Sequence, residues 1–291
     1  MKGSTIRLSD GRNLGYCVYG KAGGTPLLFF HGTPGSRLFN LFENAPWIER
    51  LGIQVITPER PGFGLSDPAP GRAIRDWAGD VEELADYIGI DRFHVAGGSG
   101  GGPYAIACAI HLPARVLSAT LFSSGVPPEV MQLSKGMQTG NRVAFLTARY
   151  APFLLKRLLA GTARAVRRYP DKYWAQVLAK SPVSDRRIME KQNGESTITH
   201  VQEAFRQGID GTYRDMLLVS RPWGLDLEKI SMPVFMWHGT ADTLMPISAA
   251  REFAKKIPGC EPHFIPDAGH QLFGSEEVRL QMIGRMLSVD A

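Results

Sequence analysis

The stretch Phe93-His94-Val95-Ala96-Gly97-Gly98-Ser99-Gly100-Gly101-Gly102-Pro103-Tyr104 constrains this chain more than any other. A short β-like run, Phe93 to Ala96, drives into a G-x-S-x-G turn, and a helix-like run from Tyr104 to His111 follows at once. Strand, G-x-S-x-G and helix in that order are the setting of a nucleophile elbow, in which a serine sits on a tight, strained turn. Flanking glycines let the backbone approach itself and leave the Ser99 hydroxyl clear of the sheet. The helix behind aims free N–H groups and its positive dipole end at developing negative charge. Ser99 is the candidate nucleophile. The rival is a dinucleotide loop, because Gly100-x-Gly102-x-x-Ala105 fits a loose fingerprint after a strand. That reading wants an acid at the end of the next strand. Here that strand ends Leu121-Phe122-Ser123-Ser124-Gly125, and no G-x-x-x-x-G-K-[ST] phosphate loop occurs.

Residues 4–125 alternate strands and helices. Two short strands (about 5–9 and 13–19) flank the hairpin signal Asp10-Gly11. Pro26 to Phe30 is an apolar buried strand ending in His31-Gly32-Thr33-Pro34-Gly35; a helix-like segment, Arg37 to Leu51, and a strand, Ile53 to Ile56, follow. Between Ala73 and Ile88, the residues Trp77, Val81, Leu84, Ala85 and Ile88 fall on one helical face. After the elbow helix comes the strand Ser118 to Phe122. Strands alternating with helices predict a parallel sheet covered on both faces. The rhythm breaks over 126–229, where helices interrupted by Pro152, Pro170, Pro182 and Gly208-Gly211 replace it. It resumes with a strand at Val234 to His238, a helix at Ser248 to Ile257, a strand at Glu261 to Ile265 and a closing helix at Glu276 to Leu287. The division expected is a core of 1–125 and 230–291, and a helical cap of 126–229 over the C-terminal strand ends, where open α/β sheets bind ligands.

At 291 residues, 44% hydrophobic and 21% charged, the chain has the composition of an ordinary globular protein with a core that needs no staples. A net charge of +5 gives no nucleic-acid signal. The cap holds 17 Lys and Arg against 10 Asp and Glu, an excess read as a solvated surface. Cys17, Cys108 and Cys260 are scattered without C-x-x-C spacing, which argues against a disulfide framework or zinc site and fits a reducing compartment. With no apolar signal core at the N-terminus and no run of about 18 apolar residues, the expectation is a cytoplasmic chain without a membrane span.

A serine nucleophile needs a base, an acid that orients it, and an oxyanion hole. His270, in Asp267-Ala268-Gly269-His270-Gln271, is the candidate base. Asp242, just beyond the preceding strand, is the candidate acid, with Asp267 as the alternative. The order Ser99, Asp242, His270 suits an elbow serine. Backbone N–H groups of Gly100 and Thr33 are the candidate oxyanion donors, Pro34 having none to give. His31 and His238 read as turn-shaping residues, and Asp76 and Asp80 as a solvated helix face. His94, His111, His200 and His263 show no metal-ligand spacing and take surface or helix-end roles, while Cys108 reads as a small core residue.

With these residues in hand, the chain resembles the α/β-hydrolase superfamily from end to end. His31-Gly32-Thr33-Pro34-Gly35 looks like its oxyanion loop. Glu59-Arg60-Pro61-Gly62-Phe63-Gly64-Leu65-Ser66-Asp67 is similar to the turn after its fourth strand, and Trp237-His238-Gly239-x-x-Asp242 and Gly269-His270 to its acid and histidine motifs. The resemblance implies a mostly parallel eight-stranded sheet with helices on both faces, a helical cap, and a Ser99–His270–Asp242 triad. It implies no cofactor and no metal. Ser99 in place of an aspartate argues against epoxide hydrolases and dehalogenases, which use a carboxylate nucleophile. The function expected is a carboxylesterase acting on a small-molecule ester, as monomer or homodimer, with no nucleic-acid partner. One alternative is a proline-iminopeptidase-like aminopeptidase. Against it, Gly100 stands where a tryptophan is usual in those enzymes; Glu195 or Glu203 would neutralise the substrate ammonium. Another is a slow or non-catalytic ligand receptor on the same fold. Phe145, Tyr150, Phe153, Tyr173, Trp174, Phe205, Tyr213 and Trp223 supply the cap with bulk, some for an apolar pocket and most for packing.

Overall fold

The computed structural model describes residues 3–38, 42, 45–131, 136–191 and 194–289. Eight strands form one sheet: β1 (Ser4–Arg7), β2 (Asn13–Gly20), β3 (Thr25–Phe30), β4 (Ile53–Pro58), β5 (Phe93–Gly98), β6 (Val116–Phe122), β7 (Val234–Gly239) and β8 (Cys260–Ile265). Their spatial order is β1-β2-β4-β3-β5-β6-β7-β8. β2 is antiparallel to both β1 and β4, and every other pairing is parallel. The parallel strands are the apolar runs of the sequence because both faces are covered. Alternate residues therefore serve opposite layers. Leu28 and Phe30 pack with α2 (Trp77–Tyr87), α3 (Gly102–His111) and α10 (Ile247–Lys256). Leu27 and Phe29 pack with α1 (Pro46–Arg50) and α11 (Glu276–Leu287).

Between β6 and β7 the described residues form helices and no strand: α4 (Thr139–Tyr150), α5 (Pro152–Arg168), α6 (Pro170–Lys180), α7 (Val183–Lys191), α8 (Gly194–Ala204) and α9 (Asp210–Val219). Pro152 and Pro170 sit in the first turns of α5 and α6, where a missing N–H costs nothing.

Several expectations need correction. The helix read over Arg37 to Leu51 is only the five-residue α1 among the described residues, with 39–41, 43 and 44 outside them. Arg37 is instead drawn into a buried ion pair with Glu59 at 2.9 Å and a second with Glu203 at 2.6 Å. Asp80 is not solvated: it is buried against Arg12, which grips both its oxygens. His94 lies inside β5, bonded to the Ser118 hydroxyl at 2.7 Å, rather than at the surface. His263 stacks on Trp237 with ring centroids 4.0 Å apart. Phe153 and Tyr150 pack against little and stand exposed.

The insertion is fastened to the core by charge. Asp215 of α9 is fully buried and accepts from Arg60 Nε at 2.8 Å, Tyr104 Oη at 2.7 Å and Thr33 Oγ1 at 2.9 Å, and it pairs with Arg72. Burial by itself would raise this carboxyl, but Arg60 and Arg72 outweigh it and hold Asp215 far below its ordinary 3.8. Its stabilising contribution is therefore present above that value and is lost only as pH falls toward the depressed one.

The turn at Ser99 needs bare backbone beside it. A Cβ on Gly97 would stand 2.5 Å from the Gly101 carbonyl oxygen, and one on Gly101 would collide with the Phe30 carbonyl. Gly97→Ala is expected to cost about 1–3 kcal/mol, read from the urea midpoint. Asp215→Asn, which takes from two buried guanidinium groups the carboxylate they share, is expected to cost about 3–5 kcal/mol on the same measurement. Unchanged midpoints would contradict both arguments.

Candidate active site

Ser99 follows the last residue of β5 and has φ +50°, a left-handed conformation that a non-glycine residue adopts only where its surroundings enforce it. A single 3₁₀ turn, Ser99–Gly101, passes directly into α3, whose first-turn Pro103 fits that position. The sequence places the helix start at Tyr104; the structure starts it two residues earlier, because the elbow turn feeds it without a break.

The loop after β3 lies against this turn. A Cβ on Gly32 would be 3.5 Å from Ser99 Cβ, and one on Gly100 would be 3.2 Å from the Thr33 nitrogen. The two backbone donors singled out in the sequence are therefore neighbours beside Ser99. Arg60 holds the loop in place, donating from Nη1 to the His31 carbonyl at 2.6 Å and from Nη2 to the Gly32 carbonyl at 3.0 Å. The Thr33 hydroxyl is fixed between Arg60 and Asp215.

Beyond β7, Asp242 accepts from the backbone N–H groups of Leu244 and Met245 through Oδ1 at 2.8 and 2.9 Å. Its Oδ2 accepts from His270 Nδ1 at 2.8 Å. A carboxylate has no proton to give, so Nδ1 carries the hydrogen and Nε2 of the neutral ring is left as the basic atom. Burial would raise Asp242, but the His270 imidazole and the Met245 N–H outweigh it and hold it below its ordinary range. For His270, burial pulls the imidazole down, while Asp242 and, more weakly, Asp185 push it up to a net position above the ordinary 6.5. Asp267 takes no part: it is exposed, and its N–H donates to Thr240 Oγ1 at 2.9 Å. His238 shapes the turn as expected, bonding the Met245 carbonyl at 2.7 Å, and also stands 3.5 Å from Asp242.

Two residues with no motif of their own complete the site. Asp185 of α7, nearly fully buried, accepts from the N–H groups of His270 at 3.1 Å and Gln271 at 2.8 Å, so the histidine loop is seated by the insertion. His200 of α8 lines the cavity above Ser99, its Nδ1 on the Leu38 carbonyl at 3.0 Å, and burial pushes it down to about 4, which keeps it neutral. Neither signal is legible locally, because the partners lie 85 and 162 positions away.

Ser99, Thr33 and His270 open into one cavity of about 350 Å³. Phe29, Phe122 and Phe273 form its floor, with Phe122 and Phe273 stacked at 4.7 Å; Tyr173, Trp174 and Met189 face them from α6 and α7. Among the described residues no Asp, Glu, Lys or Arg lines it. Glu203 is engaged by Arg37 and Arg206, and neither it nor Glu195 reaches the cavity. No cluster of His, Cys, Asp and Glu among the described residues is arranged to hold a metal ion. No helix among them is long and apolar enough to cross a membrane.

Comparison with known proteins bears on this arrangement. An uncharacterised hydrolase of Bacillus subtilis is 38% identical over 115 residues, 40% of this chain and 39% of that protein. A non-heme chloroperoxidase of Streptomyces lividans is 26% identical, with 84% of each chain covered. A proline iminopeptidase of Lacticaseibacillus rhamnosus is 28% identical, over 84% of this chain and 82% of its own. Among solved structures, an esterase of Exiguobacterium antarcticum superposes with a TM-score of 0.68 over all of both chains at 18% identity, which is a likeness of fold. The alpha/beta hydrolase fold family matches residues 25–277, and with the sheet order, the elbow and the acid–histidine contact described above, the chain belongs to the α/β-hydrolase family.

Proposed function

We propose that this protein is a serine hydrolase of neutral, apolar carboxylic esters. The observation that carries the reading is the Asp242–His270 contact opening onto the same uncharged, phenyl-lined cavity as a serine held at positive φ. Residues 1–125 and 230–291 form the catalytic core in this reading, and 126–229 the cap.

Ser99 Oγ attacks the ester carbonyl carbon while His270 Nε2 takes the hydroxyl proton, and Asp242 stabilises the imidazolium that results. The tetrahedral oxyanion receives hydrogen bonds from the Thr33 and Gly100 N–H groups, each worth about 3–4 kcal/mol in such holes. The alcohol leaves with the proton from His270. Water, deprotonated by the same ring, then cleaves the acyl-enzyme and restores Ser99. Among the described residues no hydrogen bond joins Ser99 Oγ to His270, so the first proton transfer requires that contact to form as substrate is seated. An aminopeptidase would need an anionic partner for a substrate ammonium, and among the described residues the lining offers none.

Fluorophosphonate treatment followed by intact-mass analysis is expected to give one adduct on the native chain and none on Ser99→Ala. Ester turnover in that variant is expected to fall by about 10⁴-fold or more. Ordinary turnover in Ser99→Ala, or cleavage of proline anilides in preference to esters, would overturn the reading. The pH profile of kcat/KM is expected to rise through an apparent value above 6.5, because the base must be neutral and its imidazolium is stabilised. Asp242, Asp185 and His238 face that ring, and Asp185→Asn removes one of the two negative charges. The acid limb of the profile is then expected to move to lower pH; a limb that stays put would show that Asp185 acts on the loop alone.

A further inference from the structure

We propose that the outer face of α5, with the end of α4, docks on an anionic phospholipid surface. Between Val130 and Pro170 the chain carries Lys135, Arg142, Arg149, Lys156, Arg157, Arg164, Arg167 and Arg168, and no Asp or Glu. The 17-residue α5 turns Leu155 and Val166 inward, Leu155 onto Ala148 of α4 and Leu217 of α9. Its opposite side presents Phe153, Leu154, Arg157, Leu158, Arg164 and Arg168, all exposed. Phe153 is 65% exposed, Leu158 48%, and Tyr150 at the end of α4 69%.

Charge alone reads as a solvated surface; charge interleaved with open apolar side chains does not. Each exposed ring or leucine keeps the hydration cost that packing would have removed. Basic groups flanking apolar ones on one helix side are what a helix lying in a lipid interface requires, its apolar groups entering the acyl boundary and its guanidinium groups meeting phosphates. Among the described residues none of Arg142, Arg149, Arg157, Arg164 or Arg168 forms an ion pair; all are exposed, with Arg149 and Arg168 lying over the rings of Tyr150 and Tyr169, and none has its charge neutralised by a carboxylate. A second copy of the chain is disfavoured as occupant, because a two-fold contact would set this acid-free face against itself. An acidic protein would satisfy the arginines as well, and polyglutamate stands for it in the test.

The docking is independent of the ester reading. It has a bearing on it all the same: α5 packs on α6 and α8, whose inner sides line the cavity. Docking would therefore bring the cavity's own roof helices to the source of lipophilic substrates.

The test is flotation of the full chain with phosphatidylcholine vesicles made with and without phosphatidylglycerol, at low and high salt. Retention on the anionic vesicles is expected to exceed that on neutral ones by about tenfold or more, and to fall with salt. The triple variant Phe153→Ser, Leu154→Ser, Leu158→Ser is expected to lose about tenfold or more of that retention while hydrolysing a soluble ester as the native chain does. Arg157→Gln, Arg164→Gln, Arg168→Gln is expected to abolish the preference for anionic vesicles. Ser99→Ala is expected to bind like the native chain, which separates a failure of docking from a failure of the catalytic reading. Equal or absent retention on the two vesicle types, or retention indifferent to both triple variants, overturns the proposal. So does a concentration-dependent dimer dissolved by the serine variant without vesicle binding, or retention of polyglutamate without it.

Discussion

One buried carboxylate, Asp215, is the contact on which the arrangement turns. It is reached by two guanidinium groups, a phenol and a hydroxyl, from four segments of chain that are remote in sequence: the loop after β3, the turn after β4, the segment before α2, and α3. A lone carboxylate in that position would be neutral and destabilising. Ringed by Arg60 and Arg72 it is ionised, and each donor it satisfies is thereby fixed in place. Arg60 in turn spans the carbonyls of His31 and Gly32. The alignment of the Thr33 N–H is thus a consequence of a side chain on α9.

Buried ion clusters are poor evidence of net stability, because desolvation consumes much of the Coulombic gain. What they supply is definition. Apolar side chains in place of Arg60, Arg72 and Asp215 would fill the same space without dictating where the loop backbone lies. The same holds for Asp185, which binds two consecutive N–H groups at the histidine loop. Both carboxylates reach the core from the helical insertion, so the same insertion that roofs the cavity with some of its helices sets the geometry beneath it with others.

What was legible in the sequence was whatever rests on local pattern. The apolar runs at 26–30, 93–96 and 234–238, and the glycines around Ser99, report strands and a turn because backbone sterics and alternation act over a few residues. Asp242 and His270 were legible because strand ends fix where they emerge, and the structure joins them at 2.8 Å. Asp80, Asp185 and Asp215 were not: nothing in a helical segment distinguishes a solvated acid from one that meets an arginine or a loop from a distant part of the chain. Arg37 escapes a local reading for the same reason, its helix-like neighbourhood giving no sign of Glu59 and Glu203. The exposed rings at Tyr150 and Phe153 reversed the usual inference, since amphipathic spacing does not say whether the second face meets protein.

The anchoring contacts of the insertion bear on how substrate would enter in the proposed reading. Lifting α9 would strip Asp215 from its donors, and lifting α7 would strip Asp185 from His270 and Gln271. Either movement would dismantle the groups proposed to react in the act of exposing them. Of the roof helices that bear cavity-lining side chains, α8 is tied to the core as well, by Glu203 on Arg37 and His200 on the Leu38 carbonyl, whereas α6 has no such ion pair among the described residues. In the proposed reading the insertion is thus a bridge with piers at α7, α8 and α9, and passage of substrate falls to α6.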